Sequence, residues 1–217
     1  MDFDGRDEYL ENKLQIIDSL MSQGKVASKV IPIHESLDCL EWVLPTSQAI
    51  EIIRSARSFA LQNCFHRTKY KRCDNPVEVC LVINDYADKA VSDGGAKRIE
   101  LDEAIEILKI ANECGLVHLT LYNPEQHVFA VCSCCDCCCG HLQIMKMYKR
   151  PDIISHSDYI VEVDKEKCIN CGKCVERCHF GAQIQMDTVK YYQEHCYGCG
   201  LCLTKCPTNA ISLKLRR

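Results

Sequence analysis

The sequence predicts an α+β chain in two parts. Residues 1–150 are expected to form a mainly helical, cysteine-rich domain with a small β-hairpin, and residues 151–217 a smaller domain of short strands and turns. Three observations carry this prediction. Residues 7–23 and 102–114 repeat apolar side chains at helical spacing. Residues 116–122 and 127–131 are two short apolar runs separated by Asn123-Pro124, a hairpin signal. Nineteen of the 217 residues are cysteine, and eight of these fall in a doubled pattern near the C-terminus.

The first helix places Tyr9, Leu10, Leu14, Ile17, Leu20 and Met21 on one face, and Gly24 can end it. Residues 25–44 mix short apolar runs with Pro32 and hold the one tryptophan, Trp42. A second helix is expected after Pro45, capped by Thr46 or Ser47, running through Ala49, Ile52, Ile53, Ala56 and Phe59. Cysteines then resume at Cys64, Cys73 and Cys80 around a run rich in Lys and Arg. Asp102 opens a strongly periodic helix that Gly115 closes. The hairpin that follows runs straight into Cys132, Cys134, Cys135, Cys137, Cys138 and Cys139. These six cannot all bind one metal, because neighbouring side chains of an extended chain point to opposite faces. A short basic helix over 140–150 leads to Pro151 and the first strand of the C-terminal domain.

Composition narrows the classes. A hydrophobic fraction of 47% and a charged fraction of 26% suit a globular core. The acidic, polar N-terminal stretch is unlike a secretory signal, so the cysteines read as metal or redox groups rather than a secreted disulfide framework. No run of about 18 apolar residues suggests a membrane span. A net charge of −4 gives no general attraction to nucleic acid. A cytoplasmic protein of an anaerobic cell is expected.

Cys168, Cys171, Cys174 and Cys178 are spaced C-x2-C-x2-C-x3-C, and Cys196, Cys199, Cys202 and Cys206 repeat that spacing with Pro207 following. This is the run of bacterial two-cluster iron–sulfur proteins, in which the fourth cysteine of each repeat ligates the other cluster. The expected ligand sets are therefore Cys168, Cys171, Cys174 and Cys206 for one [4Fe-4S] cluster, and Cys196, Cys199, Cys202 and Cys178 for the second. Gly172, Gly198 and Gly200 suit the tight turns that aim backbone N–H groups at cluster sulfurs. Residues 158–215 resemble bacterial-type two-cluster ferredoxins, which implies a small pseudo-symmetric ferredoxin-like dicluster domain. His179 stands where the second repeat has Pro207, and reads as a surface histidine.

A second constellation comprises Cys64, Cys73, Cys80, Cys132, Cys134, Cys135, Cys137 and Cys138 as candidate metal ligands, with Cys139 beside them. Two solutions fit. One is a third metal centre, iron–sulfur or zinc; the other is a thiol/disulfide relay. Cys39 and Cys114 are read as buried apolar residues. The segments C-FHR…CDNPVEVC, RIELDEAIEILKIANECGLVHL and CSCCDCCCG, with the dicluster repeat, resemble a family of cysteine-rich 4Fe-4S-binding proteins of anaerobic bacteria and archaea. That family usually reads C-x-C-R in its first part, so His66 stands where a thiolate is common and is a candidate ligand.

The leading functional expectation is an electron-transfer protein serving a redox partner, either alone or as a subunit of a larger redox complex. Lys173, Arg177, Lys205, Arg216 and Arg217 are candidates for docking an acidic partner. Two alternatives stay open: a reductase whose N-terminal cysteine cluster is the active site, and a cluster-sensing winged-helix regulator, suggested by the helix–hairpin order.

Overall fold

The computed structural model describes residues 8–23, 28–30, 52–122 and 127–216. The expected segments around Pro32 and Trp42, with Cys39 and the caps Thr46 and Ser47, lie outside the described residues.

Helix α1 covers Glu8–Ser22 and buries Leu10 and Ile17, which confirms its apolar stripe. The second expected helix is cut short. Residues 52–55 are helical, but Phe59 begins a strand, β2 (Phe59–Asn63), which carries the chain to Cys64. Phe59 and Leu61 alternate with Ala60 and Gln62, a period of two that helical counting misread. Helix α2 (Phe65–Tyr70) follows, then β3 (Glu78–Ile83), α3 (Asn84–Ser92) and β4 (Lys97–Ile99). Helix α4 (Leu101–Glu113) precedes the hairpin strands β5 (Val117–Tyr122) and β6 (Val128–Cys134). Helix α5 covers Gly140–Met147.

The hairpin is not a free wing. With β1 (Ser28–Val30) it lies inside a six-stranded antiparallel sheet ordered β1-β5-β6-β3-β2-β4. Helices still hold more of the described N-terminal residues than strands do, but this sheet organises them. One sheet face carries Val79, Leu81, Ile83 and Val131 against Ala104, Ile107 and Leu108 of α4. The other carries Val117, Leu119 and Cys134 against α1 and α5.

The C-terminal part pairs β7 (Tyr159–Val163) with β10 (Ile211–Leu215), and β8 (Gln183–Gln185) with β9 (Val189–Tyr191), each antiparallel. A one-turn helix, α6 (Lys173–Glu176), sits in the first cysteine loop. The second core cluster does not stop at residue 150: Ile153, Ile154, Tyr197 and Leu201 bury in it with Leu10, Ile17 and Leu142. Arg177 and His179 tie the same junction, donating to the carbonyls of Asn112 and Glu113 and of Gly115. His179 is therefore not the surface histidine expected from sequence. Cys114, expected to be buried, is exposed at the C-cap of α4. Among the described residues, no helix is long and apolar enough to cross a membrane.

Candidate iron–sulfur and metal sites

The two C-terminal cysteine loops repeat each other in backbone conformation. Positions 170 and 198, 172 and 200, and 181 and 209 are left-handed pairs, each separated by the same length of chain. Gly198 and Gly200 match Asn170 and Gly172, and Asn209 matches Gly181; Gly and Asn are the residues that tolerate this conformation. The sulfurs repeat as well. The Ala182 N–H donates to Cys178 Sγ at 3.2 Å, and the Ala210 N–H donates to Cys206 Sγ at 3.2 Å.

Two cavities open between the loops. Cys168, Cys171, Cys174 and Cys206 line one; Cys178, Cys196, Cys199 and Cys202 line the other. Each cavity thus draws three cysteines from one repeat and the last cysteine of the other. Backbone N–H groups already address the sulfurs. Burial pushes the Cys206 thiol up, but the N–H groups of Ala210 and Thr208 outweigh it and hold Cys206 below its ordinary value. Cys202, deeply buried beside three or more other sulfurs, is pushed well up. A donor set of four thiols with N–H groups aimed at sulfur fits a cubane, whose four irons each need one protein sulfur.

In the N-terminal part the candidate cysteines do not gather at one point. The alternation of β6 divides them. Cys132 and Cys134 belong to the face with Leu119, while Cys135, one residue further on, joins the core under the opposite face. On that opposite side Cys73, Cys135, Cys137 and Cys138 bring their sulfurs within 4.8 Å of one another. Cys73 and Cys135 are 3.7 Å apart, and Cys137 and Cys138 are 3.8 Å apart. Four sulfurs held at ~2.3 Å from one tetrahedral ion stand about 3.8 Å apart, so this group is spaced for a single ion. Burial raises the Cys138 thiol to about 11 and raises Cys137 further. A metal bound there would displace these protons.

Arg67 lies against this group, with 2% of its surface exposed. Both of its terminal nitrogens donate to the Ser133 carbonyl at 3.0 Å, and one reaches Cys135 Sγ at 3.7 Å. Its Nε has no partner. Among the described residues no carboxylate pairs with it, so the charges facing this buried cation are sulfurs. Burial opposes its charge, but Cys64, Cys135 and Cys134 outweigh that and raise its pKa. Sequence reading passed over Arg67 as one of a basic run. The signal was its place three residues after Cys64, one helical turn along the same face.

On the other sheet face, thiols run in a chain. Cys64, Cys80, Cys132, Cys134 and Cys139 follow one another along the lining of one cavity. The neighbouring Cys80 thiol, and then burial, push Cys64 up to about 12. Cys132 and Cys139 push the Cys134 thiol up, and Cys134 lowers both of theirs. His66 sits 3.0 Å from the Tyr9 hydroxyl, and His141 is buried beside Cys139. Of the candidate ligands, then, Cys73, Cys135, Cys137 and Cys138 form one group, and Cys64, Cys80, Cys132 and Cys134 with His66 belong to another. Sequence reading placed Cys139 beside the candidate ligands and left out His141.

The cysteine loop is braced from the C-terminal part. Asp136, between Cys135 and Cys137, faces His179 Nδ1 at 3.4 Å and is bonded by Lys146; His179 and then Lys146 hold its carboxylate well below the usual range. Of the basic residues considered for docking, Arg177 and Arg216 are engaged with backbone carbonyls, Arg216 reaching Cys196 O at 2.6 Å. Lys173 and Lys205 remain exposed. Arg217 lies outside the described residues.

Comparison with known families agrees with the paired loops: residues 161–213 match the 4Fe-4S dicluster domain family. The chain therefore carries a ferredoxin-like dicluster domain at its C-terminal end, preceded by a cysteine group able to hold a metal. No curated protein matches the chain.

Proposed function

We propose that this protein is an iron–sulfur electron carrier of two units, residues 1–150 and 151–217, moving single electrons to or from a partner oxidoreductase. One [4Fe-4S] cluster is held by Cys168, Cys171, Cys174 and Cys206, the other by Cys178, Cys196, Cys199 and Cys202. Bound clusters supply one-electron redox chemistry; the chain supplies the thiolates, the N–H groups that tune them, and a wall that limits water. The observation that carries this reading is the pair of cavities, each lined by a crossed set of four cysteines within the matched region. In the N-terminal unit, Cys73, Cys135, Cys137 and Cys138 hold a single zinc ion. Their close spacing supports one ion, since a cubane between the four sulfurs would spread them apart. The zinc would fix the loop that Asp136 anchors to the dicluster unit. We read the compartment as cytoplasmic, and the whole chain as one of the cysteine-rich 4Fe-4S proteins of anaerobes.

Cys206→Ala tests the crossed ligation. Anaerobically purified variant should lose the cluster of Cys168, Cys171 and Cys174, falling from two reduced-cluster EPR signals to one while the other persists. Equal loss of both would refute the assignment, and loss of neither would refute the cluster reading itself.

A further inference from the structure

The cavity on the second sheet face has about 430 Å³ of room, more than ten times the ~30 Å³ share of one water. Cys64, Cys80, Cys132, Cys134 and Cys139 line it together with His66 and His141. These residues come from four separate stretches: the end of β2, β3, β6 and the start of α5. Sheet alternation is what gathers them. Cys80 follows the β3–β6 register that pairs Leu81 with Val131, so it lies across from Cys132, and Cys132 lies across from Leu119. Five thiols converging on one space is not a packing solution, because cores fill with atoms rather than leave room beside reactive groups.

They do not gather at the spacing of a single ion. Among the described residues only Cys73, Cys135, Cys137 and Cys138 meet one-ion spacing. The cavity sulfurs are instead spread around a large opening, which suits several metal atoms bridged together.

We infer that Cys64, Cys80, Cys132 and Cys139, with His66 as an alternative donor, hold a polynuclear iron–sulfur centre separate from the zinc group. The cavity is open to solvent and is lined also by Lys13 of α1 and by Tyr86 of α3 and Phe129 of β6, whose tilted rings lie 4.8 Å apart, so a small molecule could reach that centre. This deepens the reading that the N-terminal cysteines hold metal, and it makes the cavity the terminus of the electron path.

Iron, sulfide and zinc per chain on anaerobically purified full-length protein test it. A cubane here predicts about twelve irons and one zinc, two-thirds of the iron belonging to the C-terminal pair. Cys80→Ser should bring iron to about eight, with zinc and the two dicluster EPR signals unchanged. Cys73→Ser should lose the zinc and keep the iron. Eight irons in both wild type and Cys80→Ser would overturn the inference and leave the electron-carrier reading standing. Loss of the same metal by both variants would mean one shared centre, and would also overturn it. Fewer than about eight irons in the wild type would instead sink the electron-carrier reading. If Cys80→Ser does not fold, iodoacetamide labelling of wild type decides. Cys80 and Cys132 line the open cavity and are partly exposed, so labelling as isolated refutes a bound centre, whereas labelling only after iron is stripped supports it.

Discussion

Replacing Arg67 by Met tests whether the four-thiol group holds an anionic metal centre. The guanidinium lies 3.7 Å from Cys135 Sγ. A full unit charge on that sulfur would be worth about 4 kcal/mol at an effective dielectric constant near 20. A thiolate bound to zinc has donated part of its charge, so about 2–4 kcal/mol is the working range. Met also removes two hydrogen bonds from the Ser133 carbonyl, a cost of roughly 1–3 kcal/mol in the metal-free and metal-loaded protein alike. Without zinc, the same substitution deletes an uncompensated buried cation, which relieves several kcal/mol. The two states therefore respond differently, and their difference appears in zinc affinity by linkage. At tenfold per ~1.4 kcal/mol, affinity should fall about 30- to 700-fold. Competition with a calibrated zinc chelator measures this directly, with Arg67→Lys as a variant that keeps the charge and most of the affinity. Zinc affinity within about threefold of wild type in Arg67→Met would refute the electrostatic role of Arg67.

Two further predictions concern the dicluster unit. Gly198 and Gly181 share the same left-handed backbone, φ +71° and +70°, but a Cβ on Gly198 would sit 2.0 Å from the Tyr159 carbonyl oxygen, while one on Gly181 meets nothing within 4 Å. Gly181→Ala should cost about 1 kcal/mol and Gly198→Ala about 3–5 kcal/mol, because strand β7 must shift; anaerobic thermal unfolding of the loaded protein would read equal losses if the clash is not the cause. Tyr197 is stacked between His156 and Phe180, with centroids at 4.1 and 4.4 Å, and its hydroxyl donates to Pro151 O at 2.7 Å. Tyr197→Phe should cost about 1 kcal/mol and Tyr197→Leu about 3 kcal/mol, and urea midpoints that do not separate the two variants would show that the stack contributes nothing.

What was legible in the sequence follows from how locally each feature is encoded. The dicluster loops are specified by cysteine spacing within short stretches, so the dicluster domain matched at residues 161–213 could be read directly, while the exchange of Cys178 and Cys206 as ligands is part of the proposal. Helix α4 and the hairpin were legible for the same reason, as each carries its period within one segment. The six-stranded sheet was not, because β2 and β4 are short and their apolar residues matter only once paired. Cys114 and His179 were misjudged because their exposure depends on where α4 meets the C-terminal loops, a contact between residues far apart in the chain.

The division of the N-terminal cysteines shows where the sequence did hold the information without yielding it. The dense run from Cys132 to Cys139 cannot serve one site, since strand geometry sends alternate residues to opposite faces. That rule already separated Cys132 and Cys134 from Cys135. It could not say which distant cysteine joined each side. Cys73 went with Cys135 because it lies in the loop after α2, beneath the sheet, whereas Cys80 went with Cys132 because β3 pairs with β6 in a register that sets them across from each other. A one-residue slip of β3 would turn Cys80 to the other face and remove it from the cavity group. That register is held by Val79, Leu81 and Ile83, all buried on the α4 side. The apolar core of the sheet is thus also what sorts the thiols, and a core substitution such as Leu81→Lys should alter metal content before it touches any ligand.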